Sequence, residues 1–186
     1  MRFLVIQDHK ENRRKCSLTP LEGRADVAFV RLESPAWVPG KVEVGSGILL
    51  VIDAPQLARE DASLLGEGDQ LVLLDATWAR LPKLLNRISV AGGARLEPRS
   101  LPPGIVTAYP RVSKVHRDPP AGLASVEALF AATVILGRPR PDLLAGYRWA
   151  DKFLRRNGWL PLATVPSSGV CCGHWEMGDP LQERGG

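Results

Sequence analysis

The chain has 186 residues and a composition typical of a soluble globular protein, which excludes disordered and fibrous classes. Its formal net charge is +4, supplied mostly by arginine, so a polyanionic partner and a simple compositional bias both remain open. No run approaches the roughly 20 apolar residues of a membrane span, and the N-terminus lacks the features of a signal peptide. We therefore expect a cytoplasmic protein that does not cross a membrane.

Three cysteines, Cys16, Cys171 and Cys172, are an odd number and do not form a disulfide framework. Cys171, Cys172 and His174 lie close in sequence, but the cysteines lack the two-residue spacer of zinc sites and no second pair exists. The sequence therefore predicts no metal site.

The first half of the chain predicts an α/β fold. Residues 2–7 and 25–32 read as strands, and the Pro- and Gly-containing residues 33–47 indicate a domain boundary. The apolar residues 48–53, a helix over 55–65 and the strand at 71–78 form a β-α-β unit, which implies a right-handed crossover and a parallel sheet. We expect a small N-terminal domain over 1–47, a main domain over 48–160 and a poorly ordered tail over 161–186.

Residues 71–78, LVLLDATW, are too short for a helix and do not alternate with polar residues, which is typical of a strand buried on both faces. Asp75 falls where this strand leaves the sheet, and Thr77 and Trp78 follow in the turn. Because ligands bind at the carboxyl ends of strands in open α/β sheets, Asp75 and Trp78 are site candidates by position. The alternative is that Asp75 only caps the next helix and Trp78 only packs.

The rest of the chain predicts three more helices. A short helix begins near Leu81 with Pro82 in its first turn, residues 91–103 form a loop and residues 104–109 a strand. Ser125 is the predicted N-cap of a helix over 126–136 that is apolar almost all round, and Glu127 in its first turn favours the positive end of the helix dipole.

The last predicted helix spans residues 141–157 and ends at Gly158. Four of its cations are spaced i, i+4, i+7 and i+8, and they repel one another unless an anion such as a phosphate offsets them. We expect this stripe and two basic loops to contact the phosphates of a nucleic acid. The residues predicted to bind it are Arg13, Arg14, Lys15, Arg111, Lys114, Arg148, Lys152, Arg155 and Arg156.

Five segments, in this order along the chain, together resemble a known family. They are RKCSLTPL (14–21), LLVIDAPQLAREDASLL (49–65), LVLLDATW (71–78), GLASVEALFAA (122–132) and YRWADKFLRRN (147–157). The family is the small-subunit rRNA aminocarboxypropyltransferases. The DATW and SVEA segments also resemble the DTW-domain tRNA-uridine aminocarboxypropyltransferases, but the KCS element and the pattern of Trp149, Phe153 and Asn157 favour the rRNA branch.

Two departures from the family pattern stand out. Residues 107–122 read TAYPRVSKVHRDPPAG, where the family usually has an Asn-Pro and a Tyr-Gly turn, and Trp149 is followed by Ala150 instead of the usual Gly. The first departure affects the loop that would recognise the cofactor and the base.

The resemblance implies a SPOUT-like α/β domain with a trefoil-knotted parallel sheet behind a smaller N-terminal α/β domain. It implies S-adenosylmethionine as donor of a 3-amino-3-carboxypropyl group to a uridine or pseudouridine nitrogen in RNA, most of all rRNA, without a metal. The implied catalytic residues are Asp75 and Glu127. The residues expected to bind the donor are Thr77, Trp78, Leu101, Thr107, Tyr109, Leu123 and Ser125. We expect a monomer.

Other functions remain open from the sequence. The acceptor could be tRNA, and a SPOUT-type methyltransferase would use the same donor but release S-adenosylhomocysteine instead of methylthioadenosine. A non-catalytic RNA-binding ribosome-assembly factor could retain the fold. His9 and His116 are alternative proton acceptors, although a loop histidine is more often merely solvated. A dinucleotide-binding enzyme is disfavoured, since no G-x-G-x-x-G follows a predicted strand.

Overall fold

The computed structural model describes residues 1–11, 16–32, 41–110 and 122–159. Within them the strands are β1 (Arg2–Gln7), β2 (Val27–Arg31), β3 (Val42–Val44), β4 (Gly47–Leu50), β5 (Gln70–Asp75), β6 (Ile88–Val90) and β7 (Leu96–Arg99). Five form one sheet in the order β2-β1-β5-β4-β7, in which every neighbouring pair is parallel. The other two, β3 and β6, pair in parallel as a small separate sheet. The predicted parallel α/β sheet is confirmed.

The large sheet is buried on both faces. Side chains alternate along a strand, so Leu71 and Leu73 of β5 join one core while Val72 and Leu74 join the other. All four are less than one tenth exposed. This two-sided burial explains the unbroken apolar run at 71–74, and it confirms that residues 71–78 begin with a buried strand.

Helices cover both faces of the sheet. The helix α2 (Ser125–Ile135) buries Leu129 and Phe130 completely in the first core, and each such side chain contributes about 1.5–3 kcal/mol by leaving water. On the other face, Leu84 of α1 (Leu81–Leu85) is buried in the second core together with Val44 of β3. The predictions of a buried helix at Ser125 and of a helix that begins at Leu81 are confirmed.

The strands β4 and β5 approach closely at Gly47. A Cβ placed on this residue would lie 1.9 Å from the carbonyl oxygen of Gln70, which is far inside the contact distance of two atoms. Glycine is therefore required here, because any side chain would push β4 away from the central strand.

The predicted helix over 55–65 is wrong in extent. The amide of Leu57 donates to the carbonyl of Ser100 and the amide of Ser100 donates to the carbonyl of Pro55, so this stretch runs extended beside the end of β7. Only a 3₁₀ turn at Arg59–Leu64 follows, where the Asp61 carboxylate accepts a hydrogen bond from the Ala58 amide.

The predictions for residues 91–109 are also corrected. The predicted loop contains β7, whose Pro98 is tolerated because β7 lies at the edge of the sheet. The predicted strand at 104–109 does not form. Its amides are bonded by side chains instead, since Val106 donates to Asn157 and Ala108 donates to Glu127.

The predicted last helix is two shorter elements, a 3₁₀ turn at Pro141–Leu144 and the helix α3 (Ala150–Arg156). Gly146 lies between them with φ +77°, a left-handed conformation that ends the first turn and favours glycine. Gly158 follows α3 with φ +67°, as its predicted role as helix stop requires.

The predicted domain boundary after residue 47 does not separate two sheets. β1 lies between β2 and β5, so strands from both sides of residue 47 pair in the same sheet. Most of the predicted linker (33–40) and the tail over 161–186, with Cys171, Cys172 and His174, lie outside the described residues. None of the described helices is long and apolar enough to cross a lipid bilayer.

Candidate active site

The strands β1 and β5 lie side by side where the sheet changes its direction of winding. β2 follows β1 on one side, whereas β4 and β7 lie beyond β5 on the other. In open parallel sheets, ligands bind outside the carboxyl ends of the strands at such a switch point. Gln7 and Asp75 are the last residues of β1 and β5 and are partners in register. The strand order therefore places both at the expected ligand crevice.

Asp75 is 6% exposed and accepts hydrogen bonds from three side chains. The Gln7 amide donates to Oδ2 over 2.9 Å and the Cys16 thiol donates to the same oxygen over 3.3 Å. The Ser125 hydroxyl donates to Oδ1 over 2.5 Å. Gln7 also lines an open cavity of about 300 Å³ with Phe29. Three separate segments thus hold one carboxylate at the sheet edge.

Cys16 is a protonated donor in this cluster. Burial and the neighbouring charge of Asp75 together raise the pKa of its thiol to about 12. A thiol with so high a pKa is a poor nucleophile, so the structure gives Cys16 a hydrogen-bonding role. The sequence analysis named neither Cys16 nor Gln7 as a site residue. The KCS element was a signal for Cys16, and no pattern marked Gln7.

Glu127 is completely buried and accepts four hydrogen bonds. Tyr147 and the Ala108 amide donate to Oε1 over 2.9 Å each. Thr107 and the Ala124 amide donate to Oε2 over 2.5 Å and 3.0 Å. Burial, followed by the charge of Glu127, raises the pKa of Tyr147 well above its ordinary value, which keeps this hydroxyl a donor. Glu127 therefore ties the loop at 107–108 to the start of α2.

The same loop is also held from α3. The Arg156 guanidinium donates to the Thr107 carbonyl over 2.6 Å, and the Tyr109 ring packs edge-on against Trp149 with centroids 5.0 Å apart. The predicted donor-binding residues Thr107 and Tyr109 thus sit on a segment fixed at both ends.

The turn that carries Trp78 is fastened to the end of β1. Trp78 is half-buried and begins a 3₁₀ turn, Trp78–Arg80. The Arg80 guanidinium at the end of this turn donates to the Asp8 carboxylate over 2.7 Å. Burial alone would raise the pKa of Asp8, but the hydrogen bond from Arg80 and the Lys10 amide outweigh it and lower the pKa. The Asp8 amide also donates to the Asp75 carbonyl over 2.9 Å. The turn that carries Trp78, three residues after Asp75, is therefore fixed to the end of β1.

The remaining predicted residues lie in different surroundings. Thr77 is exposed next to Trp78, whereas Leu101 and Leu123 are partly buried against the first core. Ser125 is not the N-cap of α2, which is Ala124, and its hydroxyl binds Asp75 instead. The exposed basic residues at the last described helix, α3, are Arg148, Lys152, Arg155 and Arg156. The remaining predicted RNA-binding residues, Arg13, Arg14, Lys15, Arg111 and Lys114, lie outside the described residues, as does His116.

Asp75 and Glu127 are buried carboxylates, and neither forms an ion pair with any residue in the described part of the chain. Neutral donors satisfy both of them. Two buried carboxylates without a cationic side chain beside them, near the first turn of α2, favour a cationic ligand there. Over the same residues, no group of three His, Cys, Asp or Glu side chains is placed to hold a metal ion.

A search of solved structures finds a similar fold in the SAM-dependent rRNA:acp-transferase Tsr3 from Vulcanisaeta distributa. The TM-score is 0.60 at 24% sequence identity, over 84% of this chain and 79% of that one. The two chains share a fold. No protein-family model matches the sequence, and no curated protein matches it either.

Proposed function

We propose that this chain transfers the 3-amino-3-carboxypropyl group of S-adenosylmethionine to a uridine or pseudouridine nitrogen in RNA, most of all in rRNA. The observation that carries the proposal is the buried Asp75 carboxylate at the switch point of a sheet with this fold. The sequence motifs point to the same activity independently of the fold. The trefoil knot, a monomeric state and a cytoplasmic location are parts of this proposal.

The charges of the site fit such a donor. S-adenosylmethionine carries a sulfonium and an ammonium group, and the described residues provide two buried carboxylates that lack a cationic partner. Trp78, three residues after Asp75 in the chain, is a half-buried aromatic residue. We assign Thr77, Trp78, Leu101, Thr107, Tyr109 and Leu123 to the donor pocket.

The donor supplies a carbon that is already activated, because its sulfonium sulfur leaves with the C–S bonding electrons as methylthioadenosine. The base nitrogen forms the new bond to that carbon and gives up its proton. Asp75 accepts or orients this proton at its carboxylate, a role worth about 10²- to 10⁴-fold in rate. Trp78 shields the donor's methyl group, so that the γ-carbon and not the methyl faces the base.

Glu127 has a different role in this proposal from the catalytic one that the resemblance implied. Each of its oxygens already accepts two hydrogen bonds, which is the usual capacity of a carboxylate oxygen. No acceptor position remains for a substrate proton. We assign Glu127 to holding Thr107 and Ala108 in the donor pocket.

The basic residues at α3 face the RNA in this proposal. Arg148, Lys152 and Arg155 are exposed and no described carboxylate pairs with them. Phosphates would offset their mutual repulsion.

Isothermal calorimetry with S-adenosylmethionine tests the first step of the proposal. We expect saturable binding at one site, with methylthioadenosine as a competitor, because it retains the adenosine and the thioether. A chain that bound neither compound would be a non-catalytic RNA-binding protein, and the proposal would fail.

A further inference from the structure

Two short segments, far apart in sequence, meet at Asp75. Residues 16–18 follow the first basic loop, and Ser125 is the first residue of α2. The Val126 amide donates to the Ser17 hydroxyl over 3.2 Å, so these segments also bind each other directly. The carboxylate is therefore clasped between them at the carboxyl end of β5.

The two oxygens of Asp75 are held from different sides of this junction. Among the described residues, Ser125 alone donates to Oδ1, while Cys16 and Gln7 both donate to Oδ2. Because both oxygens accept hydrogen bonds, the Asp75 carboxylate cannot rotate about its Cβ–Cγ bond without breaking one of them. Oδ1 keeps one acceptor position, whereas both positions of Oδ2 are occupied.

We infer that Ser125 is a positioning residue, which acts on the reaction through Asp75 and not through contact with the donor, and that Cys16 assists it from the other side. The inference rests on the proposed function and deepens it: Oδ1 is the oxygen that meets the base, and Ser125 sets its direction. It replaces the assignment of Ser125 to donor binding. The Cys16 thiol is a weaker donor, so its share is smaller.

The physical reason is that a catalytic acceptor must be held in place before the substrate arrives. Displacement of a reacting group by about 1 Å can cost on the order of 10²-fold in rate. The hydroxyl of Ser125 makes the shortest of the three side-chain hydrogen bonds to Asp75. Hydrogen bonds to a charged group are shorter and stronger than those between neutral groups. Loss of this bond leaves Oδ1 free to turn away from the base.

The test compares Ser125→Ala, Ser125→Thr and Ser17→Ala in the full chain. Ser17→Ala is the matched control, because it removes a hydroxyl that binds the same turn of α2 without touching Asp75. We expect Ser125→Ala to lower kcat about 10- to 100-fold, the range for one hydrogen bond to a charged group, while the dissociation constant of S-adenosylmethionine stays the same. Ser125→Thr keeps the hydroxyl and should restore most of kcat, and Ser17→Ala should leave kcat close to that of the wild type.

A double-mutant cycle with Asp75→Asn decides whether the effect passes through the carboxylate. In the Asp75→Asn background, Ser125→Ala should have no further effect on kcat. A full additional loss there, or weaker binding of the donor, would show direct contact with the donor and overturn the inference.

A cycle that pairs Ser125→Ala with Asp75→Ala, which removes the acceptor of the Ser125 hydroxyl, is measured on the free energy of unfolding and needs no activity. If the wild type transfers no group to RNA, the proposed function fails, and the unfolding cycle still reports whether Ser125 and Asp75 are coupled. Additive effects on unfolding would overturn the inference by themselves, since they would show that the hydrogen bond does not form.

Discussion

Substitution of Trp78 tests donor binding without disturbing the fold. Trp78 is only half-buried and lies in a turn, so truncation leaves both cores intact. We expect Trp78→Ala to weaken S-adenosylmethionine binding by about 10-fold or more, because an aromatic wall of the pocket is lost. Calorimetry measures this, with Trp78→Phe as a control that keeps a ring. Unchanged affinity in a folded Trp78→Ala variant would remove Trp78 from the donor pocket.

Glu127 is expected to act on stability. In Glu127→Gln, an amide NH₂ replaces one oxygen and faces groups that also donate, among them the Ala108 or Ala124 amide. Leaving a buried backbone donor unsatisfied should lower the free energy of unfolding by about 2 kcal/mol or more.

The control for this prediction is Tyr147→Phe, which removes one of the four donors and leaves the carboxylate in place. Its cost should be about 1 kcal/mol, the value of a single hydrogen bond. Urea unfolding measures both variants. Equal effects of the two substitutions would contradict the role of Glu127 as the centre of this cluster.

At the scale of elements, two arginines and two aspartates join the start of β2 to the 3₁₀ turn at Pro141–Leu144. Arg24 and Arg140 each bind both Asp26 and Asp142. The hydrogen bond from Arg24, followed by that from Arg140, lowers the pKa of Asp26 from its ordinary 3.8 to about 2. A lowered pKa in the folded state means stability that is present above pH 3.8 and is lost as the pH falls toward about 2.

We therefore expect Asp26→Asn to have a lower Tm than the wild type at pH 7, with the difference shrinking as the pH falls through this window. Glu97→Gln is the control, since its partner Arg95 is 76% exposed and its second ion pair, with Arg99, is long at 3.5 Å, so that these pairs should contribute less than those of Asp26. Thermal unfolding at several pH values checks both variants. A difference that stayed constant down to pH 2 would show that Asp26 acts by some means other than its charge.

The basic surface at α3 is the element we expect to bind RNA. Arg155→Glu should weaken RNA binding largely regardless of RNA sequence. The slope of log K against the logarithm of the salt concentration should become shallower by about 1 or more. Arg95→Glu is the matched control, because Arg95 precedes β7 at the opposite end of the parallel sheet from Asp75. Equal losses for the two substitutions would point to net charge and not to this surface.

Several elements could be predicted from the sequence because their signal is local. The apolar run of β5, Pro82 in the first turn of α1 and the apolar circumference of α2 all show in short windows of sequence. β7 was missed because Pro98 reads as a loop, and only its edge position in the sheet makes the proline acceptable. Residues 104–109 were misread as a strand because side chains of distant residues satisfy their amides.

The site was partly predictable for the same reason. Asp75 and Trp78 could be named from their place after a buried strand. The groups that hold Asp75 could not, since Gln7 and Cys16 lie 68 and 59 residues away in the chain. Ser125 was identified, but as a helix cap and donor contact, because its partner is set by the packing of α2 and not by its own neighbours.

For the whole molecule, the proposed function is one reaction centred on Asp75. In this reaction the donor presents its γ-carbon to the base nitrogen. The Asp75 carboxylate accepts or orients the proton of that nitrogen. Asp75→Asn should keep the fold and most of the donor affinity while losing turnover by about 10²- to 10⁴-fold.

Incubation with undermodified RNA and S-adenosylmethionine, labelled separately in the methyl and carboxyl positions, tests this central claim most directly. The account predicts that carboxyl label enters the RNA and methyl label leaves as methylthioadenosine. With Asp75→Asn, the rate at which carboxyl label enters the RNA should fall by about 10²- to 10⁴-fold. Methyl label in the RNA would contradict the account and show a methyltransferase, and no label in either rRNA or tRNA would contradict it in favour of a non-catalytic RNA-binding protein.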